Sequence, residues 1–263
     1  MDILRRGLAP ISDIAWQEID ETAVDVLTSV LSARKVVDVD GPKGWNYAAL
    51  PLGRIDTSED QKEDVKYGIH LVQPLVETRV PFELNMWELD NVIRGAKDID
   101  LGAMEDAARK IAKFEESAIY NGFDAGCIKG LKASSEYEPV TLSMDDDSIS
   151  LAVAEAMAKL KEAAVEGPYS LVVNIKLWQR LNSYVKGYPL KKQIENLIGG
   201  SIVMSPCIDD AFLLSERGGD FNLTIGQDIS IGYESHTSKT IQLYFTESFT
   251  FQVTDPAAVV VLK

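Results

Sequence analysis

The chain has 263 residues, of which 46% are hydrophobic and 25% charged. That is enough apolar material for one large domain or two small ones. Lys+Arg 26 against Asp+Glu 41 leaves a net charge of −15, which disfavours nucleic-acid and anionic-membrane binding, since both require clustered positive charge. The excess acid reads first as solubility, and alternatively as an acidic face lining a cavity or pore.

Residues 1–11 carry Leu4, Leu8 and Pro10 in no regular pattern and read as an arm, ordered only if it packs on something. Met1–Arg6 lacks the apolar core of a secretion signal, and the longest apolar run, Ala257–Leu262, is too short to span a bilayer, so a soluble, cytoplasmic protein is expected. Ser12–Ala33 is predicted helical, because Ile14, Ile19, Ala23, Val26, Leu27, Val30 and Leu31 recur at helical spacing behind Ser12 or Asp13 as cap. Lys35–Asp40 is strand-like and is broken by Gly41-Pro42-Lys43-Gly44.

Ile55–Asp64 is almost wholly polar and acidic. After it, Val65, Tyr67, Ile69 and Leu71 alternate with polar or small residues. Past Gln73-Pro74, Val76, Val80, Phe82, Leu84 and Met86 alternate again. Period-2 alternation predicts two extended strands, each with one apolar face. A long ribbon tipped by a charged loop exceeds what one compact domain needs. Its apolar stripe calls for a cover, and a neighbouring subunit is the simplest.

A spine helix is predicted from Leu101 to Tyr120, with Met104, Ala107, Ala108, Ile111, Phe114, Ala118 and Ile119 inward, Asp100 as cap and Asn121-Gly122 as exit. Asp145-Asp146-Asp147 leads into a helix over Ser148–Ala164, where acidic charge suits the helix dipole; metal binding is the alternative role. Gly167-Pro168 ends it, and Tyr169–Asn174 is a buried strand. Short helices over Lys176–Val185 and Leu190–Ile198 precede strands at Ser201–Met204, Ala211–Ser215 and Asn222–Ile225. Ile241, Leu243, Phe245, Phe249, Phe251 and Val253 form a further strand, its apolar face broken only at Glu247, and Val259–Leu262 closes the chain. Strands cluster instead of alternating with helices, so the class is α+β.

The catalytic inventory is thin. His70 and His236 are the two histidines, and neither sits in a nucleophile context. No G-x-G-x-x-G, P-loop, H-E-x-x-H or paired C-x-x-C occurs, and no metal ligands are assigned. Cys127 and Cys207 read as buried free thiols. No catalytic residue is assigned, and no cofactor is required. Trp87 reads as a packing anchor at a domain or subunit junction, or as a stacking platform for a planar ligand such as a flavin.

Several blocks, in order, carry a family resemblance: Leu8-Ala9-Pro10, Trp16-Gln17-Glu18-Ile19-Asp20, and Arg34 followed by Val37-Asp38-Val39-Asp40-Gly41-Pro42-Lys43-Gly44-Trp45. Trp87-Glu88-Leu89-Asp90-Asn91, Arg94-Gly95, Glu166-Gly167-Pro168-Tyr169 and Ser215-Glu216-Arg217-Gly218-Gly219-Asp220-Phe221 continue the set. Residues 226–234 and Phe249-Thr250-Phe251-Gln252-Val253 end it. The chain resembles the shell proteins of encapsulin nanocompartments, the linocin-like group. The resemblance implies a Hong Kong 97-like phage capsid fold. Its peripheral domain would take 1–51, the spine region 81–134 and the C-terminal strands 227–263. An extended loop would span 52–80 and an axial domain 135–226.

It also implies an icosahedral shell of roughly 60 copies. The shell would enclose a ferritin-like iron oxidase or dye-decolourising peroxidase, for iron storage or against oxidative stress, docked by a C-terminal targeting peptide. Arg34, Val36, Asp38, Asp228, Ile229, Ser230 and Ile231 would bind that peptide, although Val36, Ile229 and Ile231 serve equally as sheet core. Tyr184, Val185, Lys186, Gly187 and Tyr188 would ring a fivefold pore. A major capsid protein of a tailed virus or prophage is the related alternative, and a carboxylate-dependent hydrolase is the one from another class.

Overall fold

The computed structural model describes residues 3–57, 64–183 and 189–263. Along the chain, α1 (Asp13–Val30) is followed by β1 (Asp38–Asp40), β2 (Ala49–Asp56), β3 (Ile69–Pro74) and β4 (Val76–Asn85). Then come α2 (Met86–Ile93), α3 (Gly102–Tyr120), α4 (Leu131–Ser134), α5 (Asp146–Glu162), β5 (Tyr169–Val173), α6 (Ile175–Leu181) and α7 (Leu190–Ile198). The C-terminal third is β6 (Ile202–Met204), β7 (Ala211–Ser215), β8 (Phe221–Ile225), β9 (Ser230–His236), β10 (Thr240–Val253) and β11 (Val259–Leu262).

Capping residues set the helix starts. The Ser12 hydroxyl accepts from Ala15 N at 3.3 Å, Asn85 from Trp87 N at 2.9 Å and Asp145 from Ser148 N at 3.0 Å. The Asp145 carboxyl is held below its usual range by those Ser148 bonds. Asp145 therefore acts as a cap, and Asp146 pairs with Arg180 at 2.7 Å. Asp100 takes the Gly102 N–H at 3.0 Å, and Gly122 supplies the positive φ after α3.

Two sheets and a ribbon result. The first sheet runs β1-β8-β10-β4, with β9 also on β10; the second runs β11-β7-β5-β6. The long α3 packs across α1, β4 and β10. Its face at Met104, Ala107, Ala108 and Ile111 joins Phe82, Leu243 and Phe245 in one core cluster. Its C-terminal turn, Ala118–Tyr120, joins Phe249, Phe251 and the apolar residues of β5, β7 and β11 in another.

Several expectations are corrected. The two alternating strands of the Tyr67–Met86 run do not pair with each other. β3 pairs antiparallel with β2, and β4 pairs with β10 from Asn85↔Thr240 to Val76↔Phe249. No turn intervenes at Gln73-Pro74, and the Gln73 amide donates to Phe251 O at 2.9 Å, fixing the strand's entry into the sheet. Pro51 and Gly53 interrupt the pattern of β2, which is why its sequence did not announce a strand. The ribbon thus ends at Pro74, short of the expected Val80. Its acidic tip lies largely outside the described residues.

Phe221–Ile225 lies in the first sheet and Val259–Leu262 in the second, so both cross the expected 226/227 boundary. Of Lys35–Asp40, Lys35 ends a 3-10 turn (Ala33–Lys35) and only Asp38–Asp40 forms a strand. The helix expected over Lys176–Val185 stops at Leu181. Cys127 is exposed and Cys207 half-buried, against the expectation of two buried thiols. His236 ends β9 instead of sitting in a turn, and its Nδ1 lies 2.6 Å from the Tyr233 hydroxyl. β10 is buried on both faces through its middle, not on one.

Candidate functional site

Two surfaces and one buried cluster stand out. The first surface is the β2–β3 ribbon, whose strands pair in a ladder with each other and with no other strand among the described residues. Ile55, Ile69 and Val72 on it are 54–64% exposed, and Val65 just before β3 is 74% exposed. Large apolar side chains exposed on both faces of a two-stranded ribbon mark an interaction surface. Trp87, at the start of α2, is 66% exposed, with the Arg94 guanidinium 5.7 Å from its ring. Its indole offers an open face.

The second surface surrounds Arg34. Its Nη1 donates to Asp228 Oδ1 at 2.9 Å, its Nε to Glu115 Oε1 at 2.9 Å and its Nη2 to Glu247 Oε1 at 2.7 Å. Burial works against the guanidinium charge, but the bonds to Glu115 and the charges of Glu115, Glu247 and Asp228 outweigh it and raise its pKa further. Asp228 Oδ1 also accepts from Ile229 N at 2.8 Å, and Ser230 donates to Asp228 O at 2.8 Å. Arg34, Asp228, Ile229 and Ser230 therefore form one half-exposed patch.

The other three residues expected there do not join it. Val36 is buried in the larger core cluster, and Ile231 is 3% exposed in the other. Strand alternation turns Ile231 inward beside Phe245, whereas Val36 borders the cleft that Asp38 lines. Asp38 accepts from Gly219 N at 2.6 Å. It lines a separate cleft of about 190 Å³ with Lys35, Glu216, Asp220 and Phe221. Residues 184–188, expected at a pore, lie outside the described residues between α6 and α7.

Sequence reasoning marked Glu247 only as a break in an apolar face and missed Glu115 and Glu116. Glu115, Glu116 and Glu247 are each fully buried. Glu116 accepts from Ala33 N at 2.7 Å, from Ser205 Oγ at 3.1 Å and from the Ser32 hydroxyl, which also lies 2.9 Å from Tyr120 Oη. Burial pushes its carboxyl up to about 7 against the pull of the Ser32 and Ala33 bonds. Burial likewise lifts the Tyr120 hydroxyl, and the Cys207 thiol to about 11. A signal existed. Glu115 and Glu116 lie four residues past Ile111 and Ala112, on the apolar stripes of α3.

Among the described residues no group of His, Cys, Asp and Glu side chains is arranged to hold a metal ion, and no helix is long and apolar enough to cross a membrane.

A family model described as "Encapsulating protein for peroxidase" matches residues 1–250. A type 1 encapsulin shell protein of Rhodococcus erythropolis is 41% identical over 263 residues, covering 100% of each chain. Among solved structures, the virus-like particle from Pyrococcus furiosus superposes with a TM-score of 0.67 at 18% identity, over 94% of this chain and 98% of that one. A structure of Mycobacterium phage Bobi gives 0.59 at 13% identity, over 89% and 90%.

Proposed function

Because this chain belongs to the type 1 encapsulin shell family, a group of self-assembling shell proteins and not of enzymes, we propose that it closes into a shell of about 60 copies around a cargo enzyme. The fold is that of Hong Kong 97-like capsid proteins. The single observation that carries the assembly is the β2–β3 ribbon, which leaves Ile55, Val65, Ile69 and Val72 in water unless another copy covers them. In this reading the ribbon lies across a neighbour, the strands of the first sheet build the peripheral part, and residues 184–188 face a fivefold pore.

The relation to phage capsids rests on 13% identity and speaks for the fold alone, whereas 41% identity to a shell protein favours a compartment over a viral head. Purified protein should run as a megadalton particle and form hollow spheres in electron micrographs; a stable monomer at micromolar concentration would refute the assembly.

The docking site for a cargo peptide is read as the half-exposed patch Arg34–Asp228–Ile229–Ser230, facing the interior. Its supports are the fixed guanidinium–carboxylate pair, which can set register, and the partly buried Ile229, which can take an apolar side chain. A peroxidase cargo follows the wording of the family description; a ferritin-like one is the alternative. Ser230→Arg should leave shells assembled while reducing co-purification of a peptide-tagged cargo about tenfold or more, and undiminished loading would remove the patch from consideration. Trp87 is assigned to a subunit contact, and flavin absorbance in purified shells would instead give it a planar ligand.

A further inference from the structure

The two larger hydrophobic cores of the subunit do not merge along α3 and β10. Ile111 and Phe245 belong to one, Ala118 and Phe249 to the other. Between them on both elements stand carboxylates, Glu115 and Glu116 on the helix and Glu247 on the strand. The chain leaving α1 adds Arg34 at the same level. Glu115 and Glu247 therefore share one guanidinium, while Glu116 beside them is held by Ser32, Ala33 and Ser205. If all three ionise, the seam between the cores carries a net charge of −2, before half-exposed Asp228 is added. An interior does not hold that charge without large cost.

Glu247 holds a carboxylate oxygen of this seam that lacks a hydrogen-bond partner among the described residues. Glu247 Oε1 accepts from Arg34, but Oε2 has no donor facing it. A buried carboxyl so placed favours carrying a hydrogen, and Glu115, whose Oε2 accepts from the same Arg34 Nη2 as Glu247 Oε1, is the adjacent carboxylate.

We propose that this seam is a proton-operated latch: one proton shared by Glu247 and Glu115 clamps α3, β10 and the Arg34 turn together, and its loss loosens the two halves of the subunit. The groups facing Glu247 agree with that role. From the turn after α1 it meets Arg34, from α3 Glu115, and from the segment before β9 Asp228. Opposite it on β4 stands Thr78, which is not titratable, while Glu77 and Arg79 on either side are exposed. Glu116 faces Ser32, Ser205, Tyr120 and Cys207, with exposed Lys113 near the thiol.

Burial, and then the charge and bonding of Glu115, raise the Glu247 carboxyl well above its usual value, against the opposing charge of Arg34. A carboxyl raised in the folded state stabilises below its unfolded pKa and loses that contribution as pH rises through the folded one. The latch therefore weakens toward alkaline pH.

The test uses whole assembled shells. Their dissociation is followed by light scattering across neutral to alkaline pH, for the natural chain and for Glu247→Gln, which keeps the shape and cannot ionise. The variant's midpoint should move to the alkaline side by ~1 pH unit or more. Coincident profiles would overturn the latch.

Should that variant not assemble, infrared spectra of unaltered shells decide. At about pH 8 Glu116, with its value of about 7, is mostly ionised. A remaining absorption from a protonated carboxyl, lost at higher pH, is then expected from Glu247. Its absence at pH 8 would overturn the proposal equally.

Discussion

At the scale of single residues, Arg34 carries more structural weight than any other side chain near the docking patch. It is the one cation bonded to Glu115, Glu247 and Asp228 among the described residues. Removing one partner of a buried ion pair strands the other charges, at a cost of about 3–5 kcal/mol. Arg34→Ala should therefore lower denaturant stability by about that amount, whereas Arg34→Lys, which keeps charge but loses the two-pronged bond to Glu115, should lose less. Equal losses in urea unfolding of the two variants would mean that the guanidinium geometry contributes nothing.

The same reasoning separates Ile231 from Ile229. Ile231 lies within a core cluster and Ile229 only packs against it, so aspartate at 231 would disrupt the fold and say nothing of cargo.

At the scale of elements, ribbon and spine illustrate opposite solutions. α3 buries its apolar stripe inside its own subunit, against α1, β4 and β10. The β2–β3 ribbon cannot do so. A two-stranded sheet is at best marginal in water without a packed face, and here Val65, Ile69 and Val72 stay exposed. Stability must then come from outside the subunit. Ile69→Asp should leave the body folded, with unchanged circular dichroism, yet shift the protein from large particles to small oligomers in size-exclusion chromatography. Full-sized particles from this variant would mean that the ribbon is not an assembly contact.

At the scale of the whole molecule, charge and apolar surface pull in different directions. A net charge of −15 on each copy makes subunits repel over a Debye length of roughly 8 Å at physiological salt, so closure depends on short-range apolar and hydrogen-bonded contacts. The exposed ribbon and Trp87 supply candidates for these, and the acidic excess keeps free subunits soluble before they meet. The buried seam of Glu115, Glu116 and Glu247 adds a second level, because it sits where the two cores of one subunit meet.

By itself the sequence determined the α+β class, the spine helix, a helix over Ser148–Ala164 that the structure sets at Asp146–Glu162, the helix at Leu190–Ile198, and most strands of the C-terminal third. Each rests on near-neighbour periodicity or a cap, which are local properties of the chain. The ordered blocks from Leu8 to Val253 pointed to the family, because recurring segments in order record a shared ancestry that no single motif carries.

Only the tertiary structure decided that β3 pairs with β2 and not β4, that β8 and β11 exchange sheets, and that Val36 and Ile231 are core. Pairing partners are set by which apolar faces meet across long separations, and an alternating pattern reads the same whichever strand lies beside it. The carboxylate seam was hidden for a related reason. Glu115 and Glu247 are 132 positions apart, and only when α3 lies on β10 do they face one guanidinium.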